Sequence, residues 1–425
     1  MLANGRAPPP PVAAAEEPEP SGGAGAAATT WYERACARVL PDFALGGSLG
    51  KGAFAVVLSA THGPTGMRVA LKVSDKASET LQNPKILHRV RAEARALRKL
   101  HGHPNIMRCF GAVEDDRAYA LVLSFEAGRS LAESVSADGA MGEKPTAVVA
   151  LQIARALRHC HARKIAHRDV KLDNIVYDKA SGRATLCDFG LALVVKTMGG
   201  SRLDVRCGSP EYSAPELVDP ASKGYYGPAV DMWAFGVAVY AMLCATFPFG
   251  QAQTKICRGT FDRAALDRVG GARDLIEATL VVDPNSDLKL NRLSAAGACK
   301  HPWLRLYEKA ADAAVAGLQP DAPASGDALP PQPAQQTTAT PLPKPLHGKD
   351  DAAAAALMAA VAAAQRDVNE REGRSGELDA CVELEAESEV ALQADGEAKP
   401  EVVLRVDGEA AATAQLLALS VDDPW

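Results

Sequence analysis

Short runs of β-branched and aliphatic residues recur between residues 46 and 123, separated by glycine, proline or charged residues. Runs of this length, bounded by turn-forming residues, are typical of β-strands. The pattern therefore predicts an antiparallel sheet, whose strands include residues 56–58, 69–73 and 119–123.

One helical pattern interrupts this sheet, because Ile86, Val90 and Leu97 recur at helical spacing before Pro104 ends the run. From residue 145 onward the apolar spacing becomes mainly helical. The first apolar stripe there contains Val149, Ile153, Ala156 and Leu157. The sequence therefore predicts an α+β chain, with a small sheet region followed by a larger and mainly helical one.

Residues 232–249 are almost wholly apolar, which allows two interpretations. The length is near the roughly 18 residues that indicate a membrane-spanning helix. A helix that is apolar all round can equally form the buried centre of a large domain. Gly236, Pro248 and the adjacent Asp231 favour the buried helix.

Both ends of the chain differ from the middle in composition. Residues 1–30 are rich in Ala, Pro and Gly, and we expect them to be disordered because they offer little apolar surface to bury. Residues 305–425 predict a low-complexity, largely disordered tail. Within it, an Ala-rich run predicts an isolated helix at about 350–370.

Charge and cysteine content narrow the class of protein. The net charge of -6 and pI of about 5.9 give no basic footprint for a nucleic acid. The nine cysteines include no CxxC pair, which argues against a disulfide framework and a zinc site. We expect an intracellular protein, in the cytoplasm or the nucleus.

A glycine-rich loop lies between two predicted strands, at residues 50–55, directly before the strand at 56–58. Gly50 and Gly52 would let backbone amides approach phosphate oxygens closely. Alone this loop is weak evidence, since an ordinary glycine turn has the same composition. No helix follows it, so a dinucleotide-binding fingerprint is excluded.

Lys72 and Glu93 form a second candidate pair. Because side chains alternate along a strand, Lys72 points to the opposite face of the sheet from Leu71 and Val73. Glu93 lies on the apolar stripe of the predicted helix. A buried carboxylate is costly unless a cation pairs with it, and Lys72 is the candidate cation. A purely structural salt bridge would explain the same two residues.

A third group of residues is more specific: His167-Arg168-Asp169-Val170-Lys171-Leu172-Asp173-Asn174, followed by Cys187-Asp188-Phe189-Gly190. The residues between them predict a β-hairpin, which would bring Asn174 and Asp188 side by side. An amide oxygen and a carboxylate are hard ligands suited to magnesium rather than zinc. Asp169 would lie nearby, where a hydroxyl has to be oriented.

In this order the motifs resemble those of the eukaryotic protein kinases, over residues 42–304. Further matches are Ala214-Pro215-Glu216, the run that begins at Asp231, and Arg292. The resemblance implies a two-lobed fold, with an antiparallel-sheet N-lobe at about 42–124 that holds one helix and a mainly helical C-lobe at about 127–304. It also implies that residues 232–249 form a buried central helix and that Glu216 pairs with Arg292.

The resemblance implies a role for each matching residue in phosphoryl transfer from ATP with Mg²⁺. Lys72 would contact the phosphates and Glu93 would orient Lys72. Asn174 and Asp188 would hold magnesium, Asp169 would orient the substrate hydroxyl, and Lys171 would neutralise charge on the transferred group. The remaining nucleotide-binding residues would be Leu49, Gly50, Lys51, Gly52, Ala53, Phe54, Val57, Ala70 and Phe125.

The Asp169-x-Lys171 spacing and Ser209 resemble the serine/threonine kinases, and residues 200–207 resemble the calcium/calmodulin- and AMP-activated kinase group. That group often has a phosphorylatable threonine at the position of Val205. Since Arg168, which would bind that phosphate, is present, our hypothesis is that Asp204 or another local anion replaces it. Alternatively, Arg168 pairs with some other residue and the tails regulate the enzyme.

Two further predictions concern substrate preference and the reactivity of a cysteine. Kinases of this group that require basic residues in their substrates often have acids at the positions of Ser130 and Ala241, whereas here only Asp173 remains, which predicts a weakened demand for arginine upstream of the target. Cys187 is either a target for covalent inhibitors or a packed core residue.

The sequence predicts an enzyme that phosphorylates serine or threonine in protein substrates and acts in signalling. The alternative is a pseudokinase or scaffold that binds partners without phosphotransfer. Losing one of the five residues Lys72, Glu93, Asp169, Asn174 and Asp188 is the usual mark of that class, and all five are present. We expect a monomer with no nucleic-acid or membrane partner.

Overall fold

The computed structural model describes residues 30–372, with the exception of 53–54, 79, 195–202, 204, 223, 251, 283–291 and 317–349. Segment 1–29, the linker 317–349 and residues 373–425 lie outside the described residues, so their predicted disorder stays a prediction. Ala53 and Phe54 of the glycine-rich loop also lie outside them, as does Asp204.

Five antiparallel strands form the sheet of the small lobe, in the order β1-β2-β3-β5-β4. The side chains of β3 alternate between its two faces: Ala70 packs on the side of the helix α2, while Leu71 packs in a separate apolar cluster on the outer face. The elements of this lobe are β1 Phe43–Lys51, β2 Val56–His62, β3 Arg68–Asp75, α2 Pro84–Lys99, β4 Cys109–Glu114 and β5 Ala118–Ser124, preceded by α1 Trp31–Val39.

The large lobe is mainly helical, and two buried helices form its centre. Its helices are α3 Leu131–Asp138, α4 Glu143–Ala162, α5 Pro215–Val218, α6 Gly227–Cys244, α7 Gln253–Arg258, α8 Gly270–Thr279, α9 Ala295–Ala298, α10 Pro302–Arg305 and α11 Glu308–Ala316. Its short strands are β6 Arg129–Ser130, β7 Ile165–Ala166, β8 Ile175–Asp178, β9 Arg183–Leu186 and β10 Leu193–Val194. Short 3₁₀ turns lie at Leu172–Asn174, Pro210–Tyr212 and Ala264–Val269. Together the two lobes confirm the predicted α+β architecture.

The apolar run near residue 232 forms α6, which is buried against α4 and α8. By length and mean hydropathy of 1.4 this helix could cross a membrane, but 94% of it is buried inside the protein. A Cβ at Gly236 would lie 2.2 Å from Oγ1 of Thr279, so α6 and α8 approach closely at this glycine. The predicted ion pair is also present, with Arg292 Nη1 2.8 Å from Oε1 of Glu216.

The outer face of the small-lobe sheet is covered by two helices from opposite ends of the chain. One is α1, which begins at a capping box formed by Thr30 and Glu33. The other, α12 Asp350–Arg371, packs against β4 and buries Leu357 and Val361 in the outer apolar cluster. The sequence predicts a helix here but an isolated one, whereas the structure docks it on the sheet.

Polar contacts fix α12 along the edge strand β4. The side-chain amide of Gln365 donates to the carbonyl oxygen of Glu114 at 3.1 Å, and its oxygen accepts from the amide of Glu114 at 2.6 Å. At the end of the helix, Glu372 accepts from the amide of Asp116 at 2.8 Å. Gln365 therefore satisfies backbone groups that an edge strand otherwise leaves open.

The large lobe extends beyond residue 304, where the sequence predicts the low-complexity tail to begin. Helix α11 packs against α4, and Arg155 of α4 forms ion pairs with Glu308 and Asp312 of α11. Its buried residues are Ala311 and Ala314. An alanine-rich sequence therefore forms a packed helix here because small side chains allow close approach to α4.

Candidate active site

Lys72 joins the small lobe to the start of the activation segment, by which we mean residues 188–216. Its ammonium nitrogen lies 2.9 and 2.8 Å from the two carboxylate oxygens of Glu93 and 2.9 Å from Oδ1 of Asp188. Lys72 lies on β3, Glu93 on α2 and Asp188 just after β9. The pair predicted from strand alternation and the helical stripe is therefore present, with Asp188 as a third member.

Lys72 and Asp188 stabilise each other's charged form, whereas burial outweighs the charge of Lys72 and raises the pKa of Glu93. Burial alone would lower the pKa of Lys72, but the carboxylates of Glu93 and Asp188 outweigh burial and raise the pKa of the lysine above its usual value. The side chain of Asp188 is partly exposed, and the surrounding protein removes enough of its hydration to oppose ionisation; the charge of Lys72 outweighs this effect and lowers the pKa of the carboxyl group. Lys72 is therefore a cation and Asp188 an anion at neutral pH.

A β-hairpin brings Asn174 and Asp188 to one end, as the sequence predicts. Strands β8 and β9 pair antiparallel from Ile175 opposite Leu186 onward. Beyond this last pair, the amide of Cys187 donates to the carbonyl oxygen of Asn174 at 2.8 Å. Asn174 and Cys187 are thus the next residues at the open end of the hairpin, and Asp188 directly follows Cys187.

Asp169 is surrounded by donors. Its Oδ2 lies 3.0 Å from Nζ of Lys171 and accepts from Nδ2 of Asn174 at 2.9 Å. Its Oδ1 accepts from the hydroxyl of Ser209 at 3.1 Å, and Lys171 also donates to that hydroxyl at 3.0 Å. The carboxylate is therefore held in one orientation, beside a serine hydroxyl.

Ser209 is a site residue that sequence reasoning did not place. It lies forty positions beyond Asp169, and no periodic pattern connects the two. The sequence marks Ser209 through its resemblance to the serine/threonine kinases and its place between Gly208 and Pro210, residues typical of a turn, but neither signal predicts its contact with Asp169. The contact depends on how the activation segment folds back over the catalytic loop, residues 167–174.

The catalytic loop is anchored on the buried carboxylate of Asp231, at the start of α6. Asp231 accepts from the amides of His167 and Arg168 at 2.9 and 2.7 Å and from Nε2 of His161 at 2.8 Å. Arg168 has a φ of 66°, a backbone conformation that non-glycine residues rarely adopt. Asp231 therefore holds the residue before Asp169 in a strained conformation.

The predicted nucleotide-binding residues of the small lobe lie around the end of β1. Gly50 pairs with Val57 across the first hairpin, and the amide of Gly52 donates to the carbonyl oxygen of Ala55 at 2.8 Å. Leu49, Gly50, Lys51 and Gly52 are exposed, and Ala70 is buried on β3. Ala53 and Phe54 lie outside the described residues.

Phe125 follows β5, at the connection between the lobes. The guanidinium carbon of Arg68 lies 3.8 Å from the centre of its ring, a cation–π contact. The side chain of Phe125 is therefore engaged by β3, while the backbone of this connection is the part expected to meet a nucleotide base.

A model of the protein kinase domain matches residues 43–304. The chain therefore belongs to the protein kinase family, and the predicted resemblance is confirmed. Within that family its relatives are serine/threonine kinases. It is 34% identical over 271 residues to the SNF1-related protein kinase catalytic subunit alpha KIN12 of Arabidopsis thaliana. This match covers 62% of this chain and 52% of the relative.

Two other relatives have similar identities. The serine/threonine-protein kinase SIK3 homolog of Danio rerio is 33% identical over 263 residues, covering 61% of this chain and 21% of the relative. The calcium-dependent protein kinase 8 of Oryza sativa subsp. japonica is 35% identical over 281 residues, and the match covers 64% of this chain and 50% of the relative. The chain therefore spans about half or less of the length of these relatives.

Proposed function

We propose that this protein transfers the γ-phosphoryl group of ATP to serine or threonine hydroxyls of protein substrates. The observation that carries the proposal is the position of Lys72, which is shared between Glu93 of α2 and Asp188 of the activation segment. Phosphoryl transfer in this family needs that lysine–glutamate pair and that aspartate in place together.

The donor set fits magnesium. The side chain of Asp188 is 51% exposed, so its carboxylate is open to solvent and to a cation. The side-chain nitrogen Nδ2 of Asn174 donates to Asp169, which leaves the side-chain oxygen Oδ1 as the atom available to a metal. Both are hard oxygen ligands, and a magnesium ion held by them would neutralise charge on the nucleotide phosphates.

ATP would lie beneath the glycine-rich loop. Gly50 and Gly52 expose backbone without a side chain, which suits close approach to phosphate oxygens. Lys72 would contact the phosphates, while Leu49, Val57 and Ala70 would contact the adenine ring. Lys51, Ala53, Phe54 and Phe125 complete the proposed nucleotide site.

Asp169 and Lys171 would act on the substrate side. The Asp169 carboxylate already accepts a hydroxyl hydrogen from Ser209, so a substrate hydroxyl could take an equivalent position. Lys171, 3.0 Å from the same carboxylate, would stabilise the charge that gathers on the transferred phosphoryl group.

The cellular role and location of the protein are part of the same proposal. We infer a role in signalling inside the cell, in the cytoplasm or the nucleus, as a monomer acting on proteins. The pseudokinase alternative gains no support from the geometry, because the contacts among Lys72, Glu93, Asp169, Asn174 and Asp188 are formed.

The test is transfer of labelled phosphate from ATP with magnesium to a generic protein substrate, using the full chain expressed in bacteria. We expect transfer by the wild type, loss of at least about a hundredfold in Asp188→Asn, and unchanged transfer in Asp274→Asn. Asp274 is an exposed carboxylate on α8, so it is a matched control for the same change of charge. Undiminished transfer by Asp188→Asn would refute the proposed site.

A further inference from the structure

Arg168, the arginine before Asp169, binds a tyrosine in this structure. Its Nη1 donates to the hydroxyl of Tyr225 at 3.0 Å, and its Nε donates to the carbonyl oxygen of Leu191 at 2.7 Å. The sequence suggested Asp204 as the partner, and Asp204 lies outside the described residues. Tyr225 follows the activation segment, just before α6, and sequence reasoning gave it no role.

The same hydroxyl reaches the activation segment. It donates to the carbonyl oxygen of Val205 at 2.7 Å. The backbone of Tyr225 also pairs with that of Leu203, through two hydrogen bonds of 2.8 and 3.0 Å. One residue therefore connects the catalytic loop to positions 203 and 205, and 205 is where related kinases often have a phosphorylatable threonine.

The activation segment comes close to the catalytic loop directly after this contact. A Cβ at Gly208 would lie 2.9 Å from the carbonyl oxygen of Arg168, so only glycine fits there without a shift. The next residue, Ser209, contacts both Asp169 and Lys171. Holding the segment at 203–205 therefore helps to position the residue that borders the reacting hydroxyl.

The protonation state of Tyr225 suits this double contact. Burial raises the pKa of Tyr225 to about 12, although the charge of Arg168 opposes the shift. The phenol is therefore neutral at physiological pH, so its hydrogen points to Val205 while its oxygen accepts from Arg168. A phenol has one hydrogen and can make both bonds at once.

We propose that the hydroxyl of Tyr225 takes the place of an activation-segment phosphate, binding Arg168 and Val205 so that the segment is positioned for catalysis without phosphorylation. The inference rests on the proposed kinase function for its effect on rate. Tyr225 is a positioning residue, since it acts through Arg168 and the segment rather than on the substrate.

The test compares three forms of the full chain, each treated with phosphatase: wild type, Tyr225→Phe and Tyr240→Phe. Tyr225→Phe removes the hydroxyl and keeps the ring. Tyr240→Phe is the matched control, because the hydroxyl of Tyr240 also donates to a carbonyl oxygen, that of Asp262 at 3.2 Å, in another part of the large lobe.

Two measurements are made. The first is kcat for a peptide substrate together with the Kd for ATP; the second is hydrogen–deuterium exchange of the amides of residues 203–209. We expect Tyr225→Phe to lower kcat roughly tenfold or more, the scale of one hydrogen bond to a charged group, with ATP affinity unchanged. Exchange at 203–209 should rise in this variant and stay at the wild-type level in Tyr240→Phe.

A rescue experiment separates this role from a general loss of stability. Adding Val205→Glu to Tyr225→Phe supplies a carboxylate at the phosphate position, and we expect it to restore kcat toward the wild type.

Unchanged exchange at 203–209 in Tyr225→Phe would overturn the proposal, as would a wild type whose activity is lost on phosphatase treatment. If no form transfers phosphate while exchange still rises in Tyr225→Phe, the proposed function fails and the contact made by Tyr225 stands.

Discussion

Asp231 shows how one buried side chain can determine the geometry of a site. Its two oxygens bind consecutive backbone amides of the catalytic loop and a histidine of α4. Burial opposes ionisation, but the hydrogen bond and charge of His161 outweigh it and lower the pKa of Asp231. The charged form of Asp231 is therefore the form that the fold requires.

We expect Asp231→Ala to destabilise the protein strongly. It leaves two buried amides, those of His167 and Arg168, without an acceptor, at a cost of about 1–3 kcal/mol each. Urea unfolding of the full chain would measure this loss, with the exposed Asp274→Ala as control. Equal stabilities of the two variants would contradict the role given to Asp231.

The same residue predicts an acid dependence of stability. Since the pKa of Asp231 is lower in the folded state than its ordinary value of 3.8, its contribution is complete above that value and is lost as pH falls below it. Unfolding measured between pH 7 and pH 3 should therefore show a steeper acid decline in the wild type than in Asp231→Asn, which has no carboxyl group to titrate. Parallel declines would show that other groups dominate.

The substrate prediction can be tested by adding a charge. The hydroxyl of Ser130 caps α3 by accepting from the amide of Glu133 at 3.1 Å, and its neighbour Arg129 is a cation. Ala241, the other position where an acid was expected in kinases that prefer arginine, is buried in α6.

Because this protein has no acid at either position, a peptide library should show weak selection for arginine upstream of the target. Ser130→Glu should raise kcat/KM for an arginine-containing peptide severalfold, on the scale of about 0.2–1 kcal/mol for an exposed ion pair. An arginine-dominated profile of the wild type would refute the prediction. Ser136→Glu, on the exposed face of α3, serves as the control for added charge.

Much of the site could be predicted from the sequence because it depends on local patterns. Alternation in β3 and the apolar stripe of α2 are sufficient to pair Lys72 with Glu93, and one hairpin brings Asn174 beside Asp188. Ser209 and Tyr225 could not be placed, because their contacts join segments about 40 to 57 residues apart through loops without periodicity.

At the scale of elements, the outer face of the small-lobe sheet depends on α12. Leu357 and Val361 are buried there, and a Cβ at Gly111 of β4 would lie 2.6 Å from Cγ1 of Val361. Helix and strand therefore approach so closely that glycine is needed at this position. The same face holds α1, whose Arg38 forms an ion pair with Asp115.

We expect Leu357→Ala to lower the free energy of unfolding by about 2–5 kcal/mol, the usual cost of emptying a leucine site in a core. Leu306→Ala is the control, because Leu306 is 78% exposed. Urea unfolding followed by fluorescence would compare the two. A change in Leu357→Ala no larger than that in the control would show that α12 does not contribute to the stability of the lobe.

For helix α12, the sequence predicts the helix but not the surface on which it packs. Strong helix propensity was enough to predict a helix at 350–370, but an alanine-rich helix has few large side chains to mark which face it buries. Helix α11 is also alanine-rich, and for the same reason its sequence predicts a part of the tail rather than a packed helix. Sheet and core helices, with larger apolar residues, were predicted more completely.

At the scale of the whole molecule, the proposed site is assembled from both lobes. Lys72 and Glu93 belong to the small lobe, whereas Asp169, Asn174 and Asp188 belong to the large one. A shift of either lobe would separate Lys72 from Asp188, which are 2.9 Å apart. The relative position of the lobes is therefore part of the catalytic geometry.

The docking of α12 determines whether the stability of the small lobe depends on protein concentration. Residues 317–349 connect the helix covalently to the large lobe, so the concentration of α12 near its own sheet does not fall when the protein is diluted. Cleavage of this connection would convert α12 into a separate subunit, whose occupancy would then fall with dilution. A single cut between residues 317 and 349 would thus make the stability of the small lobe depend on the protein concentration.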